Sequence, residues 1–117
     1  MAKLTTHVLN TAAGIPAAGM RVELHRIDAG STTLLCTADT DADGRCPTPL
    51  LQGPALRNGR YSLAFHVAAY FRSLGLPLRE PPFLDVVVID FGVSDAAQNH
   101  HVPLLVSPWS YSTYRGS

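Results

Sequence analysis

Met20, Val22 and Leu24 alternate with Arg21, Glu23 and His25, a period of two that predicts a strand with one face in a core and the other wet. The pattern returns where Tyr61, Leu63 and Phe65 alternate with Ser62, Ala64 and His66. Thr5 to Asn10 and Thr32 to Thr37 read as two further strands. After them Asp41-Ala42-Asp43-Gly44 forms a tight turn, because Gly44 supplies a positive φ and the aspartates bond their own backbone. A hairpin-like reversal is expected there, followed by a Pro- and Gly-bearing connection from Pro47 to Gly59. The period then changes. Val67, Tyr70, Phe71 and Leu74 stand at i, i+3, i+4 and i+7, the stripe of a short amphipathic helix that Gly75 and Pro77 end.

Beyond Pro81-Pro82, the run Phe83 to Phe91 is β-branched from Val86 to Ile89 and predicts a strand buried on both faces. Asn99 to Ser107, then Ser110 to Arg115 after the turn at Ser107-Pro108, complete about eight strands. Pro103 has no N–H to give to a ladder, so it is expected at an edge or a non-paired position. Many short strands and a single helix predict an all-β fold, an antiparallel β-sandwich, in one domain spanning residues 1–117.

A chain of 117 residues has room for one core and no second. Nine basic residues balance nine acidic ones with no Lys/Arg run, which argues against nucleic acid as a partner. The longest apolar stretches, such as Leu84 to Ile89, fall far short of the roughly 20 residues of a membrane span. A strand beginning at Thr5 leaves no place for a signal peptide, so a cytoplasmic location is expected. Cys36 and Cys46 lack Cys-x-x-Cys spacing and read as free thiols, Cys36 as a small buried hydrophobe.

Candidate chemistry gathers at the end of the chain. From His101 to Ser117 the segment carries a histidine, Tyr111, Tyr114, Arg115 and the terminal carboxylate. Chain ends fray unless something ties them down, so so dense a terminus reads as a site. Val102, Leu104 and Val106 take one face of their strand, which leaves His101, Pro103 and Leu105 on the other. His7 stands opposite Val8 in the same way. Alternation does not say whether His7 and His101 meet, and each alone also reads as an ordinary surface histidine. His25 and His66 read as structural or solvent-facing. His100 and His101 point to opposite faces and do not readily chelate one ion. No HExxH, Cys-x-x-Cys, Gly-x-Ser-x-Gly or glycine-rich phosphate loop is present.

Three segments together resemble the 5-hydroxyisourate hydrolases of the transthyretin fold. Thr6-His7-Val8-Leu9-Asn10 with Gly14-Ile15-Pro16-Ala17 is similar to the family's histidine-bearing strand and Gly-x-Pro-Ala turn. Asp43-Gly44-Arg45 is similar to its Asp-Gly-Arg turn. His101-Val-Pro-Leu-Leu, Ser107-Pro108 and Tyr111-Ser-Thr-Tyr-Arg-Gly-Ser117 resemble its long C-terminal signature. The chain departs from the pattern at Asn99, where the family commonly has histidine, and at Trp109, where tyrosine is usual. The resemblance implies a transthyretin-like sandwich with its lone helix after the fifth strand. It also implies hydrolysis of 5-hydroxyisourate, a product of urate oxidation, to 2-oxo-4-hydroxy-4-carboxy-5-ureidoimidazoline, by opening of the six-membered ring at an amide-type carbon–nitrogen bond.

The same resemblance implies catalytic roles for His7, Arg45, His101 and Ser117 and substrate contacts from Arg45, Tyr114, Arg115 and Ser117, Arg115 alternatively anchoring the tail. Water activation falls to His7 and His101 jointly, with the base between them left open, and Arg45 suits carbonyls or an oxyanion. A homotetramer built as a dimer of dimers is implied, and neither a metal nor an organic cofactor. The competing reading within the fold is a non-catalytic carrier of small aromatic ligands; a structural or adhesion sandwich is a third.

Overall fold

The first expected strand is split at Thr6 in the computed structural model, which describes residues 1–117: β1 is Lys3–Thr5 and β2 is Val8–Asn10. The remaining elements are β3 (Ile15–Pro16), β4 (Arg21–Asp28), β5 (Ser31–Asp39), β6 (Leu51–Gln52), β7 (Gly59–His66), α1 (Val67–Ser73), β8 (Val86–Val93), β9 (His100–His101), β10 (Leu104–Val106) and β11 (Tyr111–Thr113). One layer is an antiparallel sheet of order β5-β4-β7-β8. The other consists of β6-β1-β9 and β11-β10-β2-β3, two short sheets that share the chain's first and last long segments. No helix is long and apolar enough to cross a membrane.

The sandwich is antiparallel apart from two consecutive pairings that position the site. β1 runs parallel to β9 with Thr5 beside His101, and β2 runs parallel to β10 with Val8 beside Leu104. Between these ladders the Val102 N–H donates to the Thr5 carbonyl and the Leu104 N–H to the His7 carbonyl, both at 2.9 Å. The bonds step over Pro103, which has nothing to donate. Pro103 therefore takes the non-paired position expected of it, in the interior of the sheet and not at an edge, and its carbonyl accepts from Thr113 Oγ1 at 2.7 Å. Interruptions of this kind turn about eight expected strands into eleven, seven of them only two or three residues long.

The alternating residues meet between the layers. Val22, Leu24, Leu63 and Phe65 from one sheet and Leu4, Val8, Leu104 and Val106 from the other are fully buried in one core of 19 residues, closed at one end by Val67, Tyr70 and Phe71 of α1. Each such side chain contributes about 1.5–3 kcal/mol on burial, so this cluster fixes the alternation that turns His7 and His101 outward.

Three local expectations need correction. Leu74 is half exposed at the helix cap, because Gly75 (φ +82) turns the chain away before Leu74 reaches the core. The strand after Pro82 starts only at Val86 and is not buried on both faces: β8 is an edge strand paired with β7 alone, and Val86 and Val88 lie exposed. The Asp41–Gly44 turn forms, but the chain leaving it crosses to the other layer instead of returning along β5, and Arg45 bridges His7.

Candidate active site

His7 and Arg45 meet through the Asp41–Gly44 turn. Asp41 Oδ1 accepts the N–H groups of Asp43 at 2.9 Å and Arg45 at 3.1 Å, as a short carboxylate does at a tight turn. Gly44 has φ +76, and a Cβ there would collide with the Val8 carbonyl oxygen, so only glycine brings the turn against β2. The Gly44 carbonyl then accepts the Val8 N–H at 2.8 Å, and residues 7 and 45 form an antiparallel bridge. As a result the Asp43 carbonyl lies 2.7 Å from His7 Nε2. A carbonyl only accepts, so Nε2 carries the proton and Nδ1 is the nitrogen of this ring left free for chemistry.

His101 is held from two sides. On one, Thr5 Oγ1 lies 2.9 Å from Nδ1. On the other, the chain terminus docks as a bridge: the Gly116 N–H donates to the His101 carbonyl at 2.7 Å and the His101 N–H to the Gly116 carbonyl at 3.1 Å. A Cβ on Gly116 would stand 3.1 Å from both Cβ and Cδ2 of His101, so the absence of a side chain allows the approach. Arg115 ties the same segment, donating to the Gly116 carbonyl and to Gln98 Oε1, each at 3.1 Å. Ser117, the exposed next residue, is thereby kept beside His101.

Thr5 and His7 are two residues apart on one extended segment, so their side chains share a face, and Thr5 pairs with His101. Burial is the largest cause holding the His101 imidazole below its ordinary 6.5, followed by the positive charge of Arg45 and then by His7. A half-buried, uncharged imidazole thus stands within electrostatic reach of a permanent cation and a second imidazole. A cavity of about 110 Å³ lined by Thr5, Thr6, Arg45, Cys46 and Thr48 adjoins them. Such a set supplies a proton acceptor beside a charge that stabilises an oxyanion.

Other candidates fall outside this group. Tyr114 is exposed and, with Arg115, His100 and residues of β8, lines a different hollow of about 210 Å³. Arg115 spends its guanidinium on the tail and Gln98. His100 is buried on the opposite face and donates through Nδ1 to the Gln98 carbonyl at 2.9 Å. Asn99, the departure from the family pattern, accepts the Lys3 N–H at 3.0 Å and secures the start of β1. His25 and His66 share the Glu23 carboxylate at 3.2 and 3.0 Å, in keeping with a structural role. No group of three or more His, Cys, Asp or Glu side chains converges as a metal site. Burial pushes the Cys46 thiol up to about 11, which leaves it a poor nucleophile.

Thr5, Asp43, Gln98 and the packing role of Gly116 escaped the sequence reading. Thr5 was legible in principle from its i−2 spacing to His7, whereas Gln98 carries no signal along the chain.

The HIUase/Transthyretin family model matches residues 4–116. The chain is 54% identical over 117 residues to a 5-hydroxyisourate hydrolase of Ralstonia nicotianae, covering all of both chains. Among solved structures it is similar to (S)-allantoin synthase, with TM-score 0.94 and 43% identity over 99% of this chain but only 44% of that one. It is also similar to sea bream transthyretin in complex with thyroxine, with TM-score 0.87 and 27% identity over 97% of this chain and 94% of that one.

Proposed function

The chain belongs to the HIUase/Transthyretin family, and we propose that it hydrolyses 5-hydroxyisourate to 2-oxo-4-hydroxy-4-carboxy-5-ureidoimidazoline, with His7, Arg45, His101 and Ser117 as its working groups. The observation that carries this reading is the joining of two bridges, His7 to Arg45 and His101 to Gly116, by the parallel pairing of Thr5 with His101. His101 accepts a proton from water through Nε2, the nitrogen that Thr5 does not occupy. The hydroxide so formed attacks the ring carbonyl carbon, and the oxyanion develops toward the Arg45 guanidinium, whose planar fork holds its charge throughout. The amide-type carbon–nitrogen bond then breaks as its nitrogen takes up a proton. His7, with Nε2–H fixed on the Asp43 carbonyl, presents Nδ1 to orient the water or relay that proton.

Ser117 supplies a hydroxyl and the terminal carboxylate at the pocket rim. Tyr114, exposed on the separate hollow beside β8, is left without a role in this pocket, and Arg115 serves the substrate indirectly by anchoring the tail. Residues 1–117 act as one hydrolase domain, assembled as a homotetramer. Support for assembly lies in open sheet edges such as β8 and β11, and in exposed Val86, Val88 and Phe83, surfaces that a lone sandwich leaves wet. Two unpaired thiols suit the reducing cytoplasm.

The test is the decay of 5-hydroxyisourate, generated in place from urate and urate oxidase and followed by ultraviolet absorbance, with the native chain, with His101→Asn and without protein. Fast decay with the native chain alone supports the hydrolase. Background decay with all three, together with saturable thyroxine binding, would move the chain to the carriers.

A further inference from the structure

Two imidazoles, His7 and His101, stand within electrostatic reach of each other, and their ring protons are fixed by different means. For His7 a backbone carbonyl dictates the tautomer. For His101 the partner is the Thr5 hydroxyl, 2.9 Å from Nδ1, which in itself either donates or accepts. If the hydroxyl donated, Nδ1 would be the lone-pair nitrogen and Nε2 would carry the proton, so the ring would offer the pocket a donor and no base. If it accepts, the proton sits on Nδ1 and the lone pair on Nε2 is free.

We propose that Thr5 is a positioning residue for the hydrolysis, its Oγ1 accepting the His101 Nδ1–H so that the ring is held in the tautomer with a basic Nε2. This rests on the hydrolase reading above and adds to it the residue through which His101 is made a base. Thr5 is placed for the task by the backbone: it lies beside His101 in the parallel β1–β9 pair, and its carbonyl accepts the Val102 N–H at 2.9 Å, which fixes the strand carrying the ring. From the other side, the Gly116 backbone is bridged to His101 so closely that an added Cβ would lie 3.1 Å from Cβ and Cδ2 of the histidine, so hydroxyl and tail together confine the ring. Arg45 and His7 disfavour a second proton on the ring, and the terminal carboxylate of Ser117, next to the Gly116 bridge, is the negative group on the tail side. Thr5 also lines the cavity beside Arg45.

The experiment compares native protein, Thr5→Val and Thr5→Ser by steady-state kinetics across pH and by the His101 ring nitrogens in long-range proton–nitrogen NMR. Valine keeps the β-branched shape of the strand and removes the acceptor. Thr5→Val is expected to lower kcat by tenfold or more, roughly the lower end of what a positioned base contributes. KM is expected to stay within about twofold, since a group that acts through another makes little uniform contact with substrate. The acid limb of the pH profile should move to lower pH, because the imidazolium loses an acceptor for its Nδ1–H. Thr5→Ser should restore rate and limb, and NMR should find the proton on Nδ1 in the native and serine proteins and distributed over both nitrogens in the valine variant. Native kcat and limb in Thr5→Val, a serine variant as slow as the valine one, or a native His101 protonated on Nε2 would each overturn the proposal. The tautomer is read without turnover. A native chain that holds the Nδ1 proton through Thr5 yet shows no hydrolysis would therefore sink the hydrolase reading and leave the placement of Thr5 standing.

Discussion

Gly116→Ala separates the docking of the terminus from the stability of the fold. Gly116 does not take a positive φ, so alanine suits its backbone and the only obstacle is space. The added methyl would lie 3.1 Å from Cβ and Cδ2 of His101 and 3.4 Å from its carbonyl oxygen. Retaining the bridge means overpacking, which costs about 1–3 kcal/mol. Releasing it gives up two backbone hydrogen bonds of 2.7 and 3.1 Å, each contributing about 1 kcal/mol net. Whichever is cheaper, docking of the terminus loses about 1–2 kcal/mol, a five- to thirtyfold fall in the ratio of docked to undocked tail. If Ser117 and the carboxylate act only when docked, kcat/KM for 5-hydroxyisourate should fall with the docked fraction, by up to that factor. No residue of the tail from Tyr114 onward belongs to the core, so the midpoint of thermal unfolding should move by less than about 2 °C. Absorbance-monitored turnover and circular dichroism on one preparation make the comparison. An alanine variant with native turnover would refute the claim that contact between Gly116 and His101 matters, and a large fall in the midpoint would show that the tail is instead part of the folding unit.

The other predictions concern charge and the turn. Arg45→Met should lower kcat by about a hundredfold or more, as loss of an oxyanion donor does; because it removes a positive charge that holds the His101 imidazole down, the acid limb of kcat/KM should also move to higher pH, and an unmoved limb would show that Arg45 does not face the ring. Gly44→Ala should cost about 2–4 kcal/mol in urea unfolding, combining a left-handed backbone for alanine with a collision against the Val8 carbonyl, and a variant as stable as native would deny that contact. The Glu23 carboxyl is held below its ordinary 4.5, first by the hydrogen bond to His66 and then by that to His25. With the folded value depressed, its stabilisation is complete above about 4.5, the unfolded value, and fades as pH falls through the lower folded value. Glu23→Gln should therefore flatten the acid side of the stability curve, and an identical acid transition in both proteins would count against the shared carboxylate.

Much of the fold was legible because its signals are local. Val22 and Leu24, or Leu63 and Phe65, reveal a strand to anyone counting by twos, and Gly75 marks the helix end. What failed was whatever depends on neighbours. Val86 to Ile89 read as doubly buried because β-branched residues suit a covered strand, yet β8 borders the sheet and Val86 and Val88 face outward. The outward placement of His7 and His101 followed from alternation against Val8 and Val102. Their convergence did not, since period-two arguments name a face and not the partner strand. The tight turn was evident at Asp41–Gly44, but that it carries Arg45 to His7 depends on a layer change with no mark in the sequence.

The parallel pairing of the two ends of the chain accounts for that gap, and for how the terminal segment comes to dock on His101. In an antiparallel meander the strands next to one another in sequence are neighbours in space, and a site could be assembled from one hairpin. Here β1 and β2 lie beside β9 and β10, about 96 residues away along the chain, so Thr5 and His101 face each other only once the whole sandwich has closed. Pro103 keeps this long-range pairing from being a plain ladder: the bonds to Thr5 and His7 pass on either side of it, and its carbonyl is taken by Thr113 of β11. β11 then delivers the tail back to His101, where a residue without a side chain makes the close approach without crowding the ring. Each contact presupposes the one before it. A lesion at the Pro103 step should accordingly disturb both sides of His101 at once, the Thr5 hydroxyl and the Gly116 bridge, whereas a lesion at Gly44 should disturb His7 and Arg45 and leave His101 in place.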